Sequence, residues 1–153
     1  MMKLCSDVLK VLEGRTLVTA ESLTGGGIGA ALTAVPGASA VYKGGVISYC
    51  DEIKEKLLNV KTYTLKQFGA VSSPVAGQMA EGVRTLMDAD IAVSVTGLAG
   101  PGGDDHGHEV GTVYIGFSSE AYNVVRACHF SGSRDEVRRQ TIQAALELIL
   151  EMV

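Results

Sequence analysis

The sequence predicts an α/β protein built on a mostly parallel layered sheet with one antiparallel hairpin. Three observations lead there. Apolar runs of strand length alternate with stretches of helical periodicity. Two glycine-rich turns, at 24–27 and 97–103, each follow a strand candidate and so belong to the carboxyl edge of the sheet, where open α/β sheets bind ligands. Near the end, two strand-length runs lie one short turn apart, the spacing of a hairpin. The 153 residues are 46% hydrophobic. They hold no internal repeat, linker or low-complexity run, and read as a single domain over residues 1–153 with room for a sizeable core.

The elements follow in order. Leu4, Val8, Val11 and Leu12 share a helical face, which predicts a first helix over 5–13, ended by Gly14-Arg15. Thr16 to Ala20 is the first strand. Ile28 to Val35 is a small-residue helix stopped by Pro36-Gly37. Val41 to Tyr49 reads as a strand in which Gly44-Gly45 marks a bulge or a close backbone approach. Asp51 is placed to cap a short helix over Glu52–Leu58, and residues 61–69 suit another helical piece. Ser73-Pro74 opens a helix to about Met87, with serine as cap and proline in the first position; its inner face is Val75, Met79, Val83 and Leu86. Asp90 to Thr96 is almost continuously apolar, the pattern of a strand covered on both faces. Glu109–Phe117 and Tyr122–His129 form the hairpin. Ser133 and Glu136 have capping-box spacing for the last helix, whose core face is Val137, Ile142, Ala145, Leu146, Ile149 and Met152.

Composition excludes several classes of function. A formal net charge of −4 argues against nucleic-acid or anionic-membrane partners. The longest apolar runs fall far short of a membrane span, and Met1 to Asp7 carries no apolar leader segment. Cys5, Cys50 and Cys128 are odd in number and scattered, as free thiols in a reducing cytoplasm would be. Nothing in the sequence sets the oligomeric state, and a homo-oligomer is compatible with it.

The chemistry concentrates on Thr19-Ala20-Glu21-Ser22-Leu23-Thr24-Gly25-Gly26-Gly27. Ser22 sits at a strand-to-helix turn beside backbone N–H groups that the helix start leaves unpaired. A nucleophile next to anion donors is what amide or acyl hydrolysis needs. The plainer alternative is that Ser22 or Thr24 only caps the helix. Lys54, in the first turn of the 52–58 helix, stands where the dipole disfavours a charged ammonium, and burial would push it the same way toward a neutral base; alternatively it is a surface lysine paired with Glu52 or Glu55. None of the three histidines lies in or next to a glycine turn, so lysine is the natural base for a Ser22 nucleophile. His106-x-His108-Glu109 lacks converging spacing for a metal and reads as a solvated loop. Gly25 to Ala30 fits Gly-x-Gly-x-x-Ala with Asp51 near the end of the next strand, but four residues separate the strand from the first glycine, which weakens the dinucleotide reading.

Several motifs, in order along nearly the whole chain, closely resemble the CinA C-terminal domain family: Thr19 to Gly26, Pro36-Gly-Ala-Ser39, Gly45 to Lys54, Gly69-Ala-Val-Ser72, Val95-Thr-Gly-Leu-Ala-Gly-Pro101 and Phe130 to Arg138. The resemblance implies a three-layer α/β/α sandwich with a mixed, mostly parallel sheet. It implies a nicotinamide mononucleotide deamidase that needs no cofactor or metal. By the same resemblance Ser22 is the nucleophile and Lys54 the base, with Tyr49 and Thr96 orienting them through hydrogen bonds. Backbone N–H groups around Thr24, Gly25 and Gly26 are expected to hold the oxyanion. Gly97, Ala99 and Gly100 of the second turn, with Arg134, are expected to bind substrate and its phosphate. The alternative is a non-catalytic nucleotide-binding module. The chain departs from the family pattern at Leu23, usually Cys, at Asp51, usually Asn, and at His108-Glu109, usually Lys-Pro.

Overall fold

A computed structural model describes all residues, 1–153. The elements are α1 (Met2–Val11), β1 (Leu17–Glu21), α2 (Gly27–Thr33), β2 (Tyr42–Ile47), α3 (Asp51–Leu58), α4 (Thr62–Phe68), α5 (Ser73–Leu86), β3 (Ile91–Gly97), β4 (Thr112–Ser119), β5 (Asn123–His129) and α6 (Arg134–Met152). The sheet order is β2-β1-β3-β4-β5. β1 pairs in parallel with β2 and β3, while β3–β4 and β4–β5 are antiparallel, so β4 alone runs against the other strands. The sheet is mixed, as expected, and the β4–β5 hairpin is present.

Helices cover both faces, giving three layers. Alternation along each strand sorts the core. Leu17, Ile91, Val93, Val95, Ile115 and Phe117 pack with α1, α2 and α6. Val18, Ala20, Val46 and Ala92 pack with Val75, Met79 and Val83 of α5 and with Leu58 and Leu65. β1 and β3 are buried almost throughout because both are flanked by strands and roofed by helices on both sides. At the opposite end from the glycine turns, Thr16 and Asp90 clip the two central strands together: Thr16 N–H donates to Asp90 Oδ2 at 2.8 Å, and Asp90 N–H to Thr16 Oγ1 at 3.0 Å.

Local details differ from expectation for identifiable reasons. The inner face of α1 is Cys5, Val8, Leu9 and Leu12, with Val11 exposed. β2 is shorter than Val41–Tyr49 and carries the anticipated irregularity, since Leu17 pairs with Tyr42 but Val18 with Gly44. Gly45 permits a close approach: a Cβ there would lie 2.3 Å from Thr19 Oγ1. Asp51 is the first residue of α3, after an N-cap at Cys50 that makes no side-chain cap bond; its carboxylate still favours the positive helix end. The cap of α5 is Ser72, one residue earlier than read, because Ser72 holds the extended backbone and accepts from Val75 N–H. Pro74 then falls in the first turn, where its missing N–H has no intrahelical partner to lose. On α6 the capping box of Ser133 and Glu136 is formed, and Thr141 and Leu148 join the buried face that Ile142 and Met152 only half enter.

Candidate active site

The carboxyl ends of β1 and β3 lie side by side, and the chain leaves each through a glycine turn. Ser22 directly follows β1 and is held to β3 by its N–H, which donates to Val95 O at 3.1 Å. Beside β1, Ser48 follows β2; its N–H donates to Glu21 O at 2.8 Å. Lys54, on α3, reaches back over this edge. Its Nζ donates to Ser48 O at 2.8 Å and lies 3.2 Å from Ser22 Oγ. Lys54 is 1% exposed and Ser22 8%.

No ion pair includes Lys54; Glu52 pairs with Lys56 instead. Burial pushes the Lys54 amine below the usual lysine range, only partly opposed by the nearby Asp51 carboxylate. A neutral amine that donates to Ser48 O keeps a lone pair free for the serine proton. The surface-lysine alternative is thereby set aside.

Ser22 and Lys54 open into a cleft of about 620 Å³ lined also by Tyr49, Thr96, Gly97, Ala99, Gly100 and Arg134. Sequence reasoning thus brings together most of its chosen residues. Three do not line the cleft: Thr24, Gly25 and Gly26. The reason is Glu21, whose buried carboxylate turns the other way and fills the amino end of α2. It accepts Ile28 N–H at 2.8 Å, Gly29 N–H at 3.0 Å and Thr24 Oγ1–H at 2.6 Å. The site that a dinucleotide phosphate would need there is occupied by the protein itself. The Gly25 N–H donates to Ser22 O at 3.1 Å and is unavailable to an oxyanion.

Two hydrogen-bonding expectations are also corrected. Thr96 Oγ1 donates to Ala70 O at 2.8 Å and does not bond to Ser22 or Lys54. Tyr49 is exposed, and its hydroxyl accepts from Arg134 at 3.1 Å. Arg134 also donates to Gly100 O at 2.6 Å, so it ties Tyr49 to the second glycine turn across the cleft mouth. It pairs with no carboxylate; Asp135 is taken by Arg139.

The 104–109 loop is more than solvated surface. Asp104 gathers it by accepting from the N–H groups of His106 and His108 and pairing with His108 Nδ1 at 2.6 Å. Asp104, Asp105 and His106 line the cleft. The His106 ring packs on Gly69, where a Cβ would stand 2.7 Å from Nδ1. A histidine therefore does border the site, although the hydroxyl of Ser22 faces Lys54. No group of three metal-ligating side chains is assembled.

A three-layer α/β/α sandwich with a serine and a buried, unpaired lysine at the carboxyl edge of its parallel strands defines a Ser/Lys dyad protein. The CinA C-terminal domain model matches residues 2–153, and the chain belongs to that family. It is 44% identical over 151 residues to a CinA-like protein of Endomicrobium trichonymphae, covering 94% of this chain and 35% of that protein. A CinA-like protein of Sulfurihydrogenibium sp. is 48% identical over 135 residues, covering 88% and 34%. The chain thus spans about a third of the length of these curated relatives. The crystal structure of competence damage-inducible protein A from Klebsiella pneumoniae superposes with a TM-score of 0.96 at 35% identity, covering 98% of this chain and 94% of that one. A competence-damaged protein superfamily structure from Escherichia coli gives 0.97 at 32% identity, covering 99% and 90%.

Proposed function

We propose that this chain is a nicotinamide-nucleotide amidohydrolase, converting nicotinamide mononucleotide and water to nicotinate mononucleotide and ammonia. The observation that carries the reading is the buried Lys54 amine, unpaired with any carboxylate, 3.2 Å from Ser22 Oγ. Family membership supports it. The cleft volume lies within the range of small-ligand sites, about 300–1,000 Å³.

Ser22 Oγ adds to the carboxamide carbon as its proton passes to Lys54. Leu23 follows the nucleophile and lines the cleft, and its N–H has no acceptor within the protein, so it is the donor available to the oxyanion. The intermediate collapses to an ester on Ser22, and Lys54 returns the proton to the departing ammonia. Lys54 then deprotonates the water that hydrolyses the ester, releasing the acid and restoring the hydroxyl. Thr96 and Tyr49 act as cleft walls, and Arg134, with the backbone of Gly97, Ala99 and Gly100, meets the phosphate. No step calls for a metal. No helix is long and apolar enough to cross a membrane. The free cysteines fit a reducing compartment, and we place the reaction in the cytoplasm, within a single domain.

Ammonia release from the mononucleotide, followed alongside a calorimetric titration, tests this reading. Turnover that survives chelation is expected. Saturable nucleotide binding with no ammonia would favour the non-catalytic module, and loss of turnover with EDTA reversed by zinc would reject the metal-free step.

A further inference from the structure

Arg138 stands apart from the cleft on α6, one helical turn after Arg134, and the hydrolytic chemistry above gives it no role. It has no carboxylate partner. Its guanidinium reaches across to the turn that bears Ser22: Nε donates to Leu23 O at 3.0 Å and one terminal amino group to Thr24 O at 3.2 Å. A planar two-donor fork fixes the direction of both carbonyls at once, which a flexible ammonium does not.

The consequence follows from peptide geometry. In a trans peptide the C=O and the following N–H point in opposite directions. Holding Thr24 O toward α6 sends the Gly25 N–H the other way, where it closes on Ser22 O at 3.1 Å. That bond fixes the Ser22 carbonyl, and so turns the Leu23 N–H away from it. Holding Leu23 O likewise directs the Thr24 N–H away from α6. Leu23 and Thr24 are 4% and 1% exposed, yet neither N–H has an acceptor within the protein. Buried donors without partners are rare and call for an explanation. Glu21 braces the same turn from the opposite side through Thr24 Oγ1 and the start of α2.

We propose that Arg138 is a positioning residue for the nucleophile turn, holding the Leu23 and Thr24 carbonyls so that the Leu23 N–H is preset as the oxyanion donor beside Ser22. Arg138 touches no substrate atom; it acts through the backbone. This rests on the amidohydrolase reading for its substrate, but only on Ser22 being a nucleophile for its logic.

The test uses Arg138→Met and Arg138→Lys in the full chain, with two readouts. In steady-state hydrolysis, Arg138→Met should lower kcat about 10–100-fold, a partial loss of one oxyanion donor. KM should stay within about twofold, and the effect should be the same on nicotinamide mononucleotide and on the phosphate-free riboside, since only transition-state stabilisation is lost. In the second readout, a fluorophosphonate probe phosphonylates Ser22 with loss of fluoride, the serine proton passing to Lys54; mass spectrometry should show labelling slowed by a similar factor. Arg138→Lys, able to hold one carbonyl, should fall between the variant and the parent, and it carries the test if Arg138→Met does not fold. Unchanged kcat and labelling would overturn the proposal. So would a KM increase confined to the mononucleotide, which would make Arg138 a phosphate ligand. A parent protein that labels at Ser22 but releases no ammonia would reject the amidohydrolase reading, while the labelling ratio would still decide the role of Arg138. A parent that does not label at Ser22 would overturn both.

Discussion

The two glycine turns look alike in sequence and stand side by side in the fold, yet they are built to opposite ends. The first, after β1, is closed on itself. Glu21 takes its helix N–H groups and Arg138 its carbonyls, and what remains for the outside is the Ser22 hydroxyl and the Leu23 N–H. The second, after β3, is open: Gly97, Ala99 and Gly100 line the cleft, with Arg134 resting on Gly100 O. A glycine turn after a strand marks the carboxyl edge of the sheet, but buried charges decide whether its backbone groups stay open to the cleft or are taken up by the protein itself.

The largest effects should come from the dyad that the first turn supports. Ser22→Ala and Lys54→Ala should each lower the hydrolysis rate by at least about 10²–10⁴-fold, and the double variant should be little worse than either alone. Lys54→Arg should be nearly as damaging, because its side chain stays protonated. Retention of most activity by Lys54→Arg in a kinetic assay would mean that the site needs only positive charge there.

The depressed Lys54 pKa also predicts a pH signature. Between the lowered folded value and the ordinary 10.5, the unfolded chain binds the proton that the folded chain has lost, so stability rises with pH across that window and levels off above it. The rate should rise with pH through the same folded value as the amine becomes neutral. Denaturant titrations of Lys54→Met across the window should show this slope flattened; an unchanged slope would assign it to another group.

Next in size is the brace itself. Glu21→Gln replaces an acceptor by an amide that must turn its NH2 toward donors already in place. A buried donor left unsatisfied costs about 1–3 kcal/mol, and the loss should appear in denaturant unfolding. In the open turn the effects should fall on binding. Arg134→Ala should raise KM for the mononucleotide about tenfold, the loss of one charge-assisted contact, and leave the riboside unchanged. Smallest of all, Gly102→Ala faces no atom within 4 Å and should shift stability by less than about 0.5 kcal/mol. A larger destabilisation at Gly102 than at Glu21, measured in the same titration, would break the contrast between the two turns.

Much of this was legible in the residues. Periodicity, caps and turn residues located each α-helix and strand to within a few positions, because the buried strands β1 and β3 and the amphipathic α5 carry strong patterns, while the single 3-10 turn at Ala38–Ala40 reads as loop. Ser22 and Lys54 were legible as a pair of types, and the family motifs joined them. The roles of Glu21, Arg138 and Ser48 were not. Glu21 and Arg138 act through a turn whose backbone direction no local pattern specifies, and Ser48 through its backbone carbonyl, which its residue type does not announce; Arg138 lies 114 positions from the carbonyl of Thr24 that it holds. One signal for Glu21 was available: a carboxylate closing a buried strand needs donors nearby, and the helix that follows offers them. Asp104 gathers the His106 loop by a local backbone capture, two and four positions along the chain, inside a stretch that has no helical or strand periodicity to announce it.

The Thr16–Asp90 clip joins positions 74 apart, and the strands above it pair in parallel from Leu17 and Ile91 onward. Closing so long a loop must precede any reward from that pairing, which makes it slow beside the local β4–β5 hairpin. Ser22 is anchored to β3 and Lys54 reaches it from beyond β2, so the Ser22–Lys54 contact is assembled only when the central strands have met. During refolding, amide protection in the hairpin should therefore precede the return of Ser22 labelling, and the nascent chain lacks the Ser22–Lys54 contact while its hydrophobic faces are still open.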